Sequence, residues 1–493
     1  MMDLAPNPRL ARVLLALAVV GVFFAFAVPM ILLSGPLDRA GFDQINFHEP
    51  AIRIFAHDWA HRREGMDFTN YLSATTPGYH VALACVARFV SDSTTALQLA
   101  GSVFTAVLLG VLTYWNAERV PLRLALATSL CVLASRYVFF PGVWLLPDNA
   151  GWLGVLCVLA LMMDRRTSVS TLMLGAVALS LTVLVRQTHI WAAGLVLVGF
   201  LWVKPVCVHG LAPLSASGEE PPGLAQRLLW GVAACVPAVM IVSSFRHLWG
   251  GLTPPLFQYQ YPNAGQGLAK LNLAAPAYLL AIVGLYAPFF AASWLTSAIR
   301  VVRSHTLVAV ATLAVTLALV IVPSTAYSPD QSLGRWEGLW ALAGRLPNIA
   351  GHTSVLMLGL ALVGSASLLG LFARLPRRDG ALVLTALAGF SSTQAVAFQL
   401  WQRYHEPLVL MVLGVLACRA HAAGAGGMGE GSALERRARR WAHVGPLVLA
   451  MALAAMTAFK VARSKVDHKL SPEQLMSELF PTAPKSLTPR MEP

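Results

Sequence analysis

The sequence predicts an all-α fold, a polytopic transmembrane helical bundle of about 13 spans, and three observations predict it. First, 57% of the 493 residues are hydrophobic and 12% are charged, with a mean hydropathy of +0.64; soluble domains average about 45–50% apolar. Second, apolar runs of roughly 15–25 residues recur along nearly the whole chain, each long enough to cross about 30 Å of hydrocarbon as a helix. They run without period-two alternation, so helices and not barrel strands are expected. Third, arginines gather in alternate connections, as membrane orientation demands.

The first run, residues 11–33, follows Arg9 and Arg12 and contains Ala25-Phe26-Ala27, which mimics a signal-cleavage site. It is too long for a signal, and apolar residues continue past the supposed cut, so it reads as the first span. If Arg9 and Arg12 stay inside and the chain then alternates, Arg119 and Arg123, Arg165 and Arg166, Arg300 and Arg303, Arg374, Arg377 and Arg378, and the ERRARR segment (435–440) all fall inside too. That agreement requires PGYHVALACVARFV (77–90) not to cross. At about 14 residues it suits a helix at the interface. The carboxyl tail then lies outside. These inner connections account for the net charge of +13, so no nucleic-acid partner is expected. The six cysteines (Cys85, Cys131, Cys157, Cys207, Cys235, Cys418) include no CxxC pair, and no disulfide framework or zinc site is predicted.

The outer loops hold most of the polar residues without an orienting role. In the first, residues 34–76, the segment HEPAIRIFAHDWAHRR predicts an amphipathic helix: Ile52, Phe55 and Trp59 share one face and Arg53, His57 and His61 the other. Such a helix lies flat on the outer leaflet, its apolar stripe toward lipid or the bundle. PLSASGEEPPG, in the long inner loop between Lys204 and Arg227, and HAAGAGGMGEGSA read as linkers. Ser471 followed by Pro472 and Gln474 predicts a short capped helix in the tail. No internal repeat is evident, which weighs against a transporter of two symmetric halves. The expected organisation is one transmembrane module over residues 1–420, a cytoplasmic Gly/Arg-rich linker over 421–442, and a last span with an outer tail over 443–493.

GFDQINFHEP places Asp43, His48 and Glu49 where the first loop leaves the membrane. A carboxylate there can take a proton from an attacking hydroxyl; the plainer reading is ordinary loop polarity. Further along, LLPDNAG carries Asp148, VRQTH carries Arg186 and Gln187, and WQRYHEP carries Arg403, Tyr404, His405 and Glu406. Charged groups at span ends are costly unless they serve a pathway, a site or a structural pair, so three such clusters on one face predict a shared outer cavity. Taken singly, Arg186 can snorkel, Asp148 can cap its helix and Arg403 can pair with Glu406. Arginines facing acids suit a phosphate-bearing substrate, because guanidinium binds phosphate oxygens bidentately. ATTPGYH adds Thr75, Thr76 and Tyr79 around the turn at Pro77, which also serves as a proline-led helix start.

DQINFHEP, TTPGYH and RQTHIW, with an acid after the third span, resemble the GT-C superfamily of polyprenyl-phosphate-sugar glycosyltransferases. More narrowly, they resemble the eukaryotic dolichyl-phosphate-glucose alpha-1,2-glucosyltransferase family. The likeness covers mainly residues 43–191. The chain departs from the family at Gln44, where a second acid is usual, at Pro77, where two prolines are usual, and at His189, where an asparagine is usual. WQRYHEP also differs from the family's late outer motif. The resemblance implies a GT-C-like architecture whose first outer loop carries juxtamembrane helices. It implies transfer of a hexose, expected to be glucose, from a polyprenyl-phosphate donor to a hydroxyl of a lipid-linked or cell-envelope glycan, with inversion. Asp43 is then the general base, Arg186, Arg403 and His405 hold the phosphate, and Asp148 contacts the acceptor or orients a cation. His48, Glu49, Thr75, Thr76, Tyr79, Gln187, Tyr404 and Glu406 are further substrate contacts.

One carboxylate suffices because a departing phosphate needs no general acid, unlike the leaving oxygen in glycoside hydrolysis. No cofactor is expected, and with no DxD motif no metal is favoured. Two alternatives share the cavity. A transporter or flippase would place ionisable residues near mid-membrane, and a glycan ligase would take a whole glycan on a diphosphate. The expected partners are the donor, the glycan acceptor and the bilayer. The absence of an Asn-x-Ser/Thr sequon and the Ala/Leu/Arg-rich composition point to a multi-pass protein of a bacterial inner membrane with its site facing the periplasm.

Overall fold

Peptide groups in hydrocarbon have no water to bond, so helices satisfy them internally. The computed structural model is helical accordingly; it describes residues 7–61, 65–164, 169–202, 223–259, 271–326, 338–396, 400–424, 433–488 and 490. The first part of the chain forms α1 (Pro8–Leu33), α2 (Asp38–Asp43), α3 (Glu49–His61), α4 (Gly78–Phe89), α5 (Thr94–Ala117), α6 (Leu122–Ala134), α7 (Arg136–Val143), α8 (Asp148–Met162), α9 (Val169–Val185) and α10 (Ala193–Leu201). Then follow α11 (Leu224–Trp249), α12 (Ala275–Tyr286), α13 (Ala291–Ser304), α14 (Thr306–Ile321) and α15 (Gly338–Ala343). The remainder is α16 (Val355–Phe372), α17 (Arg377–Val396), α18 (Gln402–Gly424), α19 (Ala433–Arg463) and α20 (Pro472–Leu479). A short antiparallel ribbon precedes α16, with Asn348 opposite Ser354 and Ile349 opposite Thr353.

This is an integral membrane bundle. Among the described residues seven helices are long and apolar enough to cross a membrane, and an eighth span results if α6 and α7, bent by 67° at Ser135, are taken as one. Asp148–Met162, Ser170–Val185, Gln187–Leu201 and Thr306–Ile321 are apolar but shorter. The expected count of about 13 is reached only by adding these four and α17; length and composition alone support seven or eight.

The helix ends that meet agree with the alternation read from the arginines. At one end Asp38 pairs with Lys460 of α19 at 2.8 Å, and Leu37 bridges Val466. At the opposite end Arg378 donates to the carbonyls of Asp164, at 2.8 Å, and Met162, while Arg419 pairs with Asp379. Residues 78–89 form the short α4, as their length predicts, and α4 packs on α3 rather than crossing. Ile52 and Phe55 of α3 are fully buried, with the Phe55 ring 5.3 Å from Phe68 and 5.2 Å from Tyr71, so the stripe meets protein there. Trp59, 43% exposed, sits at its rim.

The tail closes over this loop. Ser471 and Gln474 form a reciprocal capping box for α20, as its sequence predicts. Leu470, Leu475 and Phe480 then join Phe47, Phe55 and Tyr71 in one apolar cluster. Asn46 fastens it, accepting from the Leu470 amide at 2.8 Å. The stretch expected as a linker, 421–442, is helical at both ends, since α18 runs to Gly424 and α19 begins at Ala433; the residues between lie outside the described ones, as do 203–222 of the inner loop. The Arg/Glu/Ala-rich start of α19 favours helix by propensity, so the linker expected up to residue 442 gives way to helix from Ala433.

Close packing between α12 and α16 depends on glycine. A Cβ on Gly284 would lie 1.8 Å from the Leu360 carbonyl oxygen, and one on Gly364 2.1 Å from that of Leu280. Small residues let membrane helices approach this closely. Gly364→Ala is expected to destabilise the bundle by about 1–3 kcal/mol through overpacking. Thermal unfolding in detergent checks this, and an unchanged midpoint would contradict the packing.

Candidate active site

Four chain segments that carry charged side chains converge at the Asp38–Lys460 end. The first is the passage from α2 to α3. Pro50 has no amide to bond the Asn46 carbonyl, and its ring crowds that carbonyl. The chain answers with a π turn over Gln44–His48, in which the Glu49 N–H bonds the Gln44 carbonyl. Residues five apart then share a face: Gln44 donates to Glu49 at 3.2 Å, and Asp43 and His48 both line a cavity.

The Gln44 face ties the loop down. Gln44 Oε1 accepts from Gln98 and from the Leu145 amide, both at 3.1 Å. Glu49 Oε1 accepts from Thr94 at 2.6 Å and from Arg53 Nη2 at 2.8 Å. Glu49, expected as a substrate contact, therefore fastens the loop to α5. The π turn puts it on the face away from Asp43.

The second segment begins α8. Pro147 occupies the cap position, so Asp148 starts the helix without capping it and turns its carboxylate to arginines. The third is the extended residue Arg186 between α9 and the 3-10 turn Gln187–Ala192. Gln187 accepts from the Thr76 amide at 2.9 Å and donates to the Ala74 and Leu252 carbonyls, each at 2.8 Å. The Thr76 hydroxyl donates to the Val183 carbonyl at 2.6 Å. Gln187 and Thr76 thus hold the 73–76 turn against α9 instead of facing the cavity. Gln187→Leu is expected to cost about 2–4 kcal/mol, being three bonds of roughly 1 kcal/mol each plus an unpaired buried amide. Faster proteolysis near residues 73–76 would report it; unaltered cleavage would contradict the role.

The fourth segment is the start of α18, which brings Arg403 and Tyr404. Arg403 spans both acids, donating Nη1 to Asp43 Oδ2 at 2.7 Å and Nη2 to Asp148 Oδ2 at 2.9 Å. Arg186 Nη1 meets Asp148 Oδ1 at 2.8 Å, and Arg39 Nε meets Asp43 Oδ1 at 3.1 Å. The Arg186 guanidinium also lies over the Tyr404 ring at 4.6 Å, a cation–π contact, and Tyr404 stacks on Trp401 at 5.6 Å.

The resulting cavity is small, about 110 Å3. Asp43, His48, Thr75, Asp148, Arg186, Arg403 and Tyr404 line it, together with Arg39, Phe47, Ser73, Phe257 and Trp401. Three guanidiniums against two carboxylates leave one positive charge in excess. Arg403 Nε is buried with no partner among the described residues. An unbonded buried donor costs about 1–3 kcal/mol, which a ligand oxygen would recover. Burial pushes the His48 imidazole down to about 3, with Arg403 and Arg186 adding to the shift and Asp148 opposing it.

Other expected contacts lie elsewhere. Tyr79 of α4 is buried, its ring 5.6 Å from Phe104. His405 Nδ1 bonds the Trp401 carbonyl at 2.8 Å, and the ring sits between Tyr278 and Phe390 at 4.8 and 5.0 Å. Glu406 accepts from Ser135 at 2.6 Å, Tyr286 at 2.5 Å and Gln402 at 2.7 Å. At about 100° per residue His405 lies about 200° around α18 from Arg403, while Glu406, about 60° from Arg403, is buried with its oxygens taken by those three donors and does not line the cavity. The expectations that His405 holds phosphate and that Glu406 contacts substrate are therefore corrected: these side chains anchor α18. Arg39 and Trp401 line the cavity without having been anticipated. The i, i+4 spacing of Arg39 and Asp43 on one short helix is the signal that points to Arg39.

No family model matches this sequence, and no curated protein matches it. The crystal structure of ArnT from Cupriavidus metallidurans bound to undecaprenyl phosphate is 14% identical with a TM-score of 0.35, over 83% of this chain and 77% of that one. The apo crystal structure of the same protein is 13% identical with a TM-score of 0.33, over 83% of this chain and 78% of that one. A likeness of this size assigns no function.

Proposed function

We propose that this chain is a GT-C-type membrane glycosyltransferase that moves a hexose, glucose by the motif resemblance, from a polyprenyl-phosphate donor to a hydroxyl of a lipid-linked or cell-envelope glycan. The observation that carries the reading is Arg403, bridging Asp43 and Asp148 inside a cavity of net positive charge and keeping one buried N–H unused. A phosphodiester supplies the negative charge and acceptor oxygens that this arrangement lacks. Arginines concentrated at the opposite bundle end support an outer-face site by the positive-inside rule; in a bacterial inner membrane that face is the periplasmic one.

Asp43 takes the proton of the acceptor hydroxyl while that oxygen attacks the anomeric carbon. The bond from that carbon to the phosphate oxygen breaks with its electron pair, and the configuration inverts. Each Asp43 oxygen uses one of about two acceptor positions on arginine, so the hydroxyl still finds a lone pair. The departing phosphate gains negative charge, ending near −1.5 to −2 at neutral pH. The fixed guanidiniums of Arg39, Arg186 and Arg403 stabilise that growth without reorganising.

The test is purified protein in lipid nanodiscs, incubated with a panel of polyprenyl-phosphate monosaccharides and, separately, a polyprenyl-diphosphate glycan. Release of polyprenyl phosphate from one of the monosaccharide donors is expected. Turnover of the diphosphate glycan alone would replace this reading with that of a ligase.

A further inference from the structure

His48 and His80 form a buried pair that the chemistry above does not use. His48 Nδ1 and His80 Nε2 are 2.9 Å apart, with ring centroids 5.2 Å apart and ring planes inclined by 27°. His80 is fully buried, and its Nδ1 has no partner among the described residues. His48 lines the cavity on the same face of the π turn as Asp43, and its second nitrogen, Nε2, has no hydrogen-bond partner among the described residues.

A hydrogen bond between two neutral imidazoles contains one hydrogen, so the tautomers are linked. If His48 Nδ1 were the donor, His80 would carry its own proton on Nδ1, leaving a buried N–H without an acceptor. Orphaned buried N–H groups are rare and costly. In the opposite arrangement His80 Nε2–H donates, and the atom left without a partner is a bare nitrogen lone pair. The proton of His48 then resides on Nε2.

We infer that His80 is a positioning residue that fixes the tautomer of His48, so that His48 presents Nε2–H into the cavity as an uncharged hydrogen-bond donor to a phosphate oxygen. The phosphate in this statement rests on the function proposed above. Burial lowers the affinity of both rings for a second proton, and His48 adds to the effect on His80. The charges facing His48 are Asp148, Arg186 and Arg403, with Asp43 at the same cavity wall, and their effects are smaller than that of burial. The cavity thus gains a donor without gaining a charge, and Asp43 remains its base.

The test uses the full chain in nanodiscs with 15N-labelled histidine. Ring signals are assigned with His48→Asn and His80→Asn, and polyprenyl phosphate is added as the probe. His48 is expected to show a protonated Nε2 and a bare Nδ1 between about pH 5 and 9, a range that an ordinary histidine would titrate through. Polyprenyl phosphate is expected to shift Nε2. His48→Ala is expected to lower kcat/KM by about 10- to 100-fold, the range for one hydrogen bond to a charged group, and His48→Gln, which keeps an N–H donor, to recover part of it. His80→Ala is expected to give mixed His48 tautomers with a smaller loss. A proton on His48 Nδ1, or an imidazolium at neutral pH, would overturn the inference. So would polyprenyl phosphate that binds by native mass spectrometry while Nε2 stays unmoved. If no polyprenyl phosphate binds at all, the proposed function fails with the contact, while the tautomer assignment is still decided by the spectrum.

Discussion

Asp43→Asn is expected to lower sugar transfer by about 10²- to 10⁴-fold, the usual contribution of a positioned general base, while the donor binds as well as before or better. Asparagine keeps the shape and one acceptor oxygen but removes a negative charge from a cavity where Asp43 is paired with Arg39 and Arg403. With that charge gone the excess positive charge rises by one, which favours an anionic donor. Loss therefore falls on the single-turnover rate constant and not on donor binding, whereas partial unfolding would lower the amplitude and leave the rate constant unchanged. The variant should stay in the membrane, because Arg403 retains its second partner Asp148 at 2.9 Å. Single-turnover kinetics with saturating donor decide the matter, and a variant of full activity would remove Asp43 from its role.

Arg403→Gln is expected to damage both binding and folding. Arg403 is the one side chain among the described residues that joins the two acids, and its loss leaves Asp43 and Asp148 facing one another without the cation between them. Removing one partner of a buried pair costs about 3–5 kcal/mol; Arg186 still neutralises Asp148 in part. Polyprenyl phosphate affinity should fall with it, and KM should rise as kcat drops. Lysine restores the charge but not the planar fork, and a single ammonium cannot span both carboxylates as the guanidinium does. Arg403→Lys should therefore recover some stability and little activity. Pairing Arg403→Gln with Asp148→Asn should relieve part of the destabilisation, giving a coupling of about 1 kcal/mol or more. Strict additivity would show that the two side chains do not act together.

Much of the fold is legible in the chain because membrane insertion leaves coarse marks. Apolar runs give the spans, and the shortness of residues 77–90 gives the non-crossing α4. Arginine alternation sends Asp43, Asp148, Arg186 and Arg403 to one end, where the structure places them around one cavity. Direction within each segment is less legible. The π turn reverses the expected role of Glu49, because an added residue in a helical turn changes which neighbours share a face, and only Pro50 hints at it. His405 and Glu406 stand beside Arg403 in sequence yet turn into the bundle, where Glu406 meets Ser135 and Tyr286 from distant helices. Partners separated by long stretches of chain leave no periodic trace, and this holds equally for His48 with His80 and for the tail cluster of Leu470, Leu475 and Phe480. Span counting suffers from the same limit, since α8 has 15 residues and is enclosed by protein rather than sized to the bilayer.

The most direct measurement is a cryo-electron microscopy map of the protein with polyprenyl phosphate in nanodiscs, recorded alongside Arg403→Gln. The account predicts phosphate density in the cavity within hydrogen-bond reach of Arg403 and Arg186, absent from the variant. Lipid phosphate bound instead at the Arg378 end, or an occupied cavity unaffected by the loss of Arg403, would contradict it.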